Sequence, residues 1–171
     1  MGERDEIDTG YIYLNDGPPV IFRHVGGSAA TRAATTAGTV RVYRGLEEVH
    51  EVENTGSAPS EFLRVEFKTL GASPDTLRGK FARSTDTTSP LTHLDHPQVR
   101  LTRLWVPAGG SLALGSSPQP ALIIAVASGG DIKAGQERWV PASTDVTLQN
   151  NGKAPLDFLR VDFKTSPETS R

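Results

Sequence analysis

The chain has 171 residues and a mass of 18.3 kDa, and its 18 Lys and Arg stand against 20 Asp and Glu for a formal net charge of -2. It has no positive excess to draw it to nucleic acid or to an anionic membrane surface. It contains no cysteine, which excludes disulfides, thiol catalysis, thiolate zinc sites and Cys-held iron–sulfur clusters together.

Taken in chain order, residues 1–8 are charged and carry no apolar stretch, so no secretory signal is read there. No later run approaches the roughly 18 apolar residues of a membrane span, and the expectation is a cytoplasmic protein. With 17 Gly and 12 Pro, the chain is too turn-rich for a helical bundle. Strands are expected at 10–14, 20–24, 40–43, 49–53 and 62–68, where apolar and polar residues alternate or β-branched residues gather. Residues 27–38, rich in Gly, Ser, Ala and Thr and interrupted by Arg32, have no hydrophobic period and read as a mobile loop. Residues 71–96 read as a surface linker, with one helical turn at 74–78 capped by Ser73 ahead of Pro74. Further strands are expected at 99–106, 111–114, 121–127, 138–140, 144–148 and 158–164. Short strands between Gly, Pro and Asn turns imply an all-β sandwich or barrel.

The chain repeats itself. Residues 53–69, ENTGSAPSEFLRVEFKT, match residues 149–165, QNNGKAPLDFLRVDFKT, at 11 of 17 positions with an offset of 96. This reads as a duplication. In each copy an Asn/Gly turn precedes a strand whose apolar and charged residues alternate, and Arg64 and Glu66, repeated as Arg160 and Asp162, read as a solvated cross-strand charge ladder. Allowing about six extra residues in the first copy, 18–22 are set against 120–124.

Residues 140–152, VPASTDVTLQNNG, resemble the second conserved motif of the cupin superfamily: Pro, a small residue, Gly, two residues, His, three residues, Asn and a tight turn. The first copy supplies GLEEVHEVEN at 45–54, where His50 and Asn54 keep the His-x-x-x-Asn spacing, and LWVPAGGSL at 104–112 resembles the strand and turn ahead of the first motif. The resemblance implies a tandem cupin: a double-stranded β-helix, or jelly-roll barrel, duplicated, with an incomplete first copy at 1–70, a linker at 71–96 and a second barrel at 97–171. Cupins usually hold a divalent Fe, Mn, Ni or Zn through two His and one Glu of the first motif and one His of the second. Carried over residue by residue, the His-x-His-Pro of the second copy becomes Gly115-Ser116-Ser117-Pro118, the acid falls on Ala121 or Leu122, and the second-motif His falls on Val146. The first copy keeps His50, with Glu48 on the same face of an alternating strand, but has no first motif, and its Glu position falls near Pro19.

His50 is thus the one motif-matching metal candidate, weighed against a hydrogen-bonded structural histidine. His93 and His96, with Asp95 between them, offer two donors or a plain anchor of the linker. Arg103 shares a strand face with Val99, Leu101 and Trp105, where it either grips a ligand carboxylate or lies outside. Trp139 and its counterpart Tyr43 read as buried core or interface, or as a stacking surface. No phosphate loop, nucleophile elbow or basic-aromatic interleaving is present. The expected function is a cupin without its usual metal, a structural protein or one binding a small organic acid or sugar-like ligand through Arg103, Trp105, Ser116, Ser117 and Trp139. The alternative is a metal-dependent isomerase or dioxygenase built on His50. An incomplete barrel exposes sheet edges, so a homodimer is expected, with neither nucleic acid nor membrane as partner.

Overall fold

The computed structural model describes residues 8–44, 50–67, 79–82, 87 and 89–164, which divide into two compact units, 1–83 and 84–171. The described residues form fourteen strands and no helix, so none of them forms a helix long and apolar enough to cross a membrane. The helical turn expected at 74–78 and the motif residues 45–49, Glu48 among them, lie outside the described residues.

The first unit contains β1 (Asp8–Tyr13), β2 (Val20–His24), β3 (Ala29–Arg32), β4 (Val40–Arg44), β5 (His50–Asn54), β6 (Phe62–Phe67) and β7 (Gly79–Phe81). They form two antiparallel sheets, β6-β1-β4-β7 and β3-β2-β5. The second unit contains β8 (Leu91–Asp95), β9 (Val99–Val106), β10 (Ser111–Leu114), β11 (Ala121–Ala125), β12 (Glu137–Val140), β13 (Val146–Gln149) and β14 (Leu156–Phe163). Its sheets are β12-β11-β14-β9-β8 and β10-β13.

Every strand expected from alternation is found with its ends moved by no more than two residues, because a half-buried strand writes its period into the sequence. Three further strands are present. The run at 27–38, read as a mobile loop, contributes β3, which pairs with β2 as Ile21↔Thr31 and Phe22↔Ala30. Gly26 and Gly27, at φ 106° and 92°, supply the left-handed backbone that turns this hairpin. The stretch read as a linker supplies β7, which adds to β4, and β8, which adds to β9. The proposed match of 18–22 with 120–124 is also corrected by the sheets. β11 lies between β12 and β14, and the strand that lies between their counterparts β4 and β6 is β1. β2 belongs to the other sheet.

The repeated turns fold alike. Asn54 Oδ1 accepts from Gly56 N at 2.9 Å while its amide donates to the Ala58 carbonyl at 2.9 Å. Asn150 repeats both bonds with Gly152 and Ala154, at 2.9 Å each, and its amide also reaches the Val106 and Pro107 carbonyls. Each Asn thus satisfies a turn whose backbone no strand can pair.

In the second unit the inner face of the five-stranded sheet and the β10-β13 pair enclose a core of Leu104, Val106, Ile123, Val146, Leu148 and Phe158. Residues on the other face of β9 and β14 are buried as well. That second face holds an ion pair: Arg103 Nε and Nη2 donate to Asp157 Oδ1 and Oδ2 at 2.7 and 2.8 Å, and both side chains are buried. His93 lies at the β-bulge between Thr92 and Leu94. Its pKa is lowered, first by burial and then by the Arg103 charge, against an opposing pull from Asp157. At the outer edge Asp95 is held below the usual carboxylate range by bonds from Lys164 and Arg100.

A buried pair is costly to break because the surviving charge has no solvent. Arg103→Met or Asp157→Leu alone is expected to destabilise the second unit by about 3–5 kcal/mol, and the double variant by much less. Denaturant unfolding followed by tryptophan fluorescence reads this unit, since both tryptophans, Trp105 and Trp139, lie in it. Equal losses in the single and double variants would contradict the coupling. His93 adds a pH dependence. Its folded pKa is depressed, so its contribution is complete above the unfolded value of about 6.5 and is lost as pH falls through the folded one. Stability measured between pH 7.5 and 5 is expected to fall more steeply in the parent protein than in His93→Gln, and identical slopes would rule His93 out.

Candidate functional site

In the first unit a cavity of about 310 Å³ lies between the two sheets. Strand period sets its walls. Ile12, Val40 and Val42 are buried on the far face of β1 and β4, so Tyr11, Tyr13 and Arg41 turn inward. From the opposite sheet, Phe22 of β2, Arg32 of β3 and His50 of β5 share the cavity lining, and Phe62 of β6 stands at the rim, 45% exposed. The rings touch one another: Tyr11–Phe62 centroids are 5.2 Å apart, Tyr13–Phe62 6.1 Å and Phe22–His50 5.3 Å.

The polar groups differ in how they are satisfied. The Arg32 guanidinium lies over the Tyr13 ring at 4.8 Å, a cation–π contact. Its Nε is buried and makes no hydrogen bond, and the same holds for Thr35 Oγ1 and Ser60 Oγ. The two hydroxyls converge beside Gly17, where an added Cβ would stand 2.9 Å from Ser60 Oγ and 3.0 Å from Thr35 Oγ1. Ser60 lines this cavity; Thr35 lines an adjoining hollow of about 510 Å³ that shares Arg32 and Arg41 with it.

Among the described residues, which do not include Glu48, the donor set does not supply the metal centre that the sequence resemblance implies. His24 and His50 are cross-strand partners with ring centroids 5.7 Å apart. By register the acid of the first motif corresponds to Thr9, not to a position near Pro19, because Thr9 pairs with Glu66 as Ala121 pairs with Asp162. In the second unit the corresponding side chains, Ala121 and Val146, are buried and apolar. Among the described residues no three His, Cys, Asp or Glu gather to hold an ion, whereas a catalytic metal takes three or four protein donors.

The residues expected to bind a ligand in the second barrel are not brought together. Arg103 does share a face with Trp105, but the carboxylate it grips is Asp157 of its own unit. Trp139, read as core, interface or a stacking surface, is not in the core: it is 56% exposed and lies against Phe163 at 5.7 Å. Ser116 is exposed, and of the five only Ser117 lines a hollow of the inner face, about 350 Å³, with Thr102, Arg160 and Asp162. The charge ladder is corrected there too: Arg160 Nε donates to Asp162 Oδ1 at 2.8 Å inside the strand, and both are buried rather than solvated. The first-unit counterpart, Arg64–Glu66 at 2.9 Å, is about half exposed. His96 is buried, with Nδ1 accepting from Gln98 N at 3.2 Å, and with His93 and Asp95 it does not make a group of three metal donors among the described residues.

Sequence reading passed over Tyr11, Tyr13, Arg32 and Arg41. The signal for Arg41 was present in Val40-Arg41-Val42, a cation between two core positions. Arg32 lacked one, since its neighbours carry no period.

No family model matches the chain, and no curated protein matches it. Solved structures do. AerE from Microcystis aeruginosa is 11% identical with a TM-score of 0.64, over 94% of this chain and 79% of that one. A cupin 2 conserved barrel domain protein from Leptotrichia buccalis is 12% identical with a TM-score of 0.55, over 96% and 80%. Oxalate decarboxylase from Bacillus subtilis, described with Mn(II) centres, is 11% identical with a TM-score of 0.55, over 97% of this chain and 65% of its own. Identities this low transfer architecture and not activity, and the architecture agrees with the strands and sheets described above: this chain has a cupin-type jelly-roll fold.

Proposed function

We propose that the protein is a small-molecule-binding cupin whose metal site is degenerate, and that its ligand is a small organic acid with an apolar body, held in the first-unit cavity. One observation carries the reading. All three buried side-chain atoms that make no hydrogen bond among the described residues, Arg32 Nε, Thr35 Oγ1 and Ser60 Oγ, border this cavity or the hollow joined to it. Each such group costs about 1–3 kcal/mol while it is unmet, and a ligand with acceptor oxygens meets them. The aromatic walls take the apolar body, and Arg32 and Arg41 take the carboxylate through charge-assisted bonds. Only binding is assigned to these residues; no bond-making step is.

The His24–His50 pair favours the alternative, a metal-dependent enzyme, and one set of measurements separates the two. Benzoate is expected to raise the unfolding temperature of the full chain, a concentration of 100 Kd being worth about 2.7 kcal/mol. Arg32→Met is expected to abolish that rise, and His50→Ala to leave most of it. If neither benzoate nor any other aryl or alkyl acid, phosphate monoesters included, shifts the unfolding temperature, the binding reading is wrong. Stoichiometric Fe, Mn, Ni or Zn in protein purified without chelator, lost in His50→Ala, would put the enzyme in its place.

A further inference from the structure

The hollow beside the cavity has a different chemistry from the cavity itself. Its polar lining is Arg32, Arg41, Lys80 and Thr35, with no carboxylate. Arg41 of β4 and Lys80 of β7 are direct cross-strand partners, an arrangement in which like charges repel. None of these three cations forms an ion pair among the described residues. The charged side chains of the second unit's hollow differ, since Arg160 is neutralised by Asp162 and Arg100 by Asp95. Arg32 and Arg41 line both spaces of the first unit, so a molecule held by them has its apolar part among Tyr11, Tyr13 and Phe62 and its charged part toward Lys80.

We infer that the ligand is an amphiphile with a doubly charged anionic head, a phosphate monoester or a dicarboxylate, whose head sits in the hollow of Arg32, Arg41 and Lys80 while its apolar body fills the aromatic cavity. The inference rests on the binding reading and narrows it. A monocarboxylate offsets one of three positive charges. A phosphate monoester brings about -1.5 to -2 at neutral pH and three acceptor oxygens, enough for two guanidinium forks and an ammonium at once. Thr35, whose hydroxyl makes no hydrogen bond, adds a neutral donor to the same hollow.

Calorimetric titration of the full chain with benzoate, phenyl phosphate and benzene-1,2-dicarboxylate tests this. At least one dianion is expected to bind about tenfold or more tighter than benzoate, and which one does identifies the head. Lys80→Ala, a change at an exposed side chain, is expected to weaken the tighter dianion severalfold more than it weakens benzoate, and so to remove most of that advantage. Benzoate binding with neither dianion tighter overturns the inference and leaves the binding reading standing. So does a dianion advantage that Lys80→Ala does not diminish. If none of the three compounds binds, the reading of the cavity fails and the inference goes with it.

Discussion

Val40 and Val42 are each 2% exposed on one face of β4, and the two-residue period of a strand then sends Arg41 to the other face, into the first unit's cavity. Ile12 fixes β1 in the same way, with Tyr11 and Tyr13 on the inward side. A slip of one residue in either strand would place a guanidinium or a phenol where a buried aliphatic belongs. The polar interior is therefore tied to the apolar packing behind it. Removing the cations leaves the fold its core, whereas moving them requires a different register.

The same frame yields two different interiors. In the second unit the inner face is filled by Leu104, Val106, Ile123, Leu148 and Phe158, and its buried Arg160 is answered two residues later by Asp162. In the first unit the cavity lining combines aromatic rings and two arginines with Val20, Val52, Asn54 and Ser60, and the described cations of the hollow have no acid beside them. The second unit has hollows of about 350 and 370 Å³ of its own, but the Arg160 and Arg100 of the former are paired with Asp162 and Asp95, whereas Arg32, Arg41 and Lys80 of the first unit have no acid beside them among the described residues. The proposed ligand site is therefore in the first.

Much of the fold was legible in the sequence because alternation, Asn/Gly turns and a 96-residue repeat are local signals. β3, β7 and β8 were not legible. Ala29–Arg32 has no hydrophobic period and owes its strand to the hairpin turn at Gly26 and Gly27 and to pairing with β2. Gly79–Phe81 is three residues long and is defined by its neighbour β4. The candidate site was read less well. Motif matching pointed to the second barrel and strand alternation to Arg103, whose partner Asp157 lies 54 residues away and is revealed only by the pairing of β9 with β14. His50, the motif-matching metal candidate, lines the first-unit cavity, but the groups around it come from five other strands, and nothing local announces that they converge.

The structural neighbours fix the architecture and leave the chemistry to the side chains. The central claim is that Arg32 and Arg41 face inward and wait for an anion from outside the chain. A crystal structure of the protein grown with phenyl phosphate tests it most directly. The anion is expected between the two guanidinium groups with its ring against Tyr11 and Tyr13. A structure in which Arg32 and Arg41 extend into solvent, or are already bridged by one of the chain's own carboxylates, would contradict it.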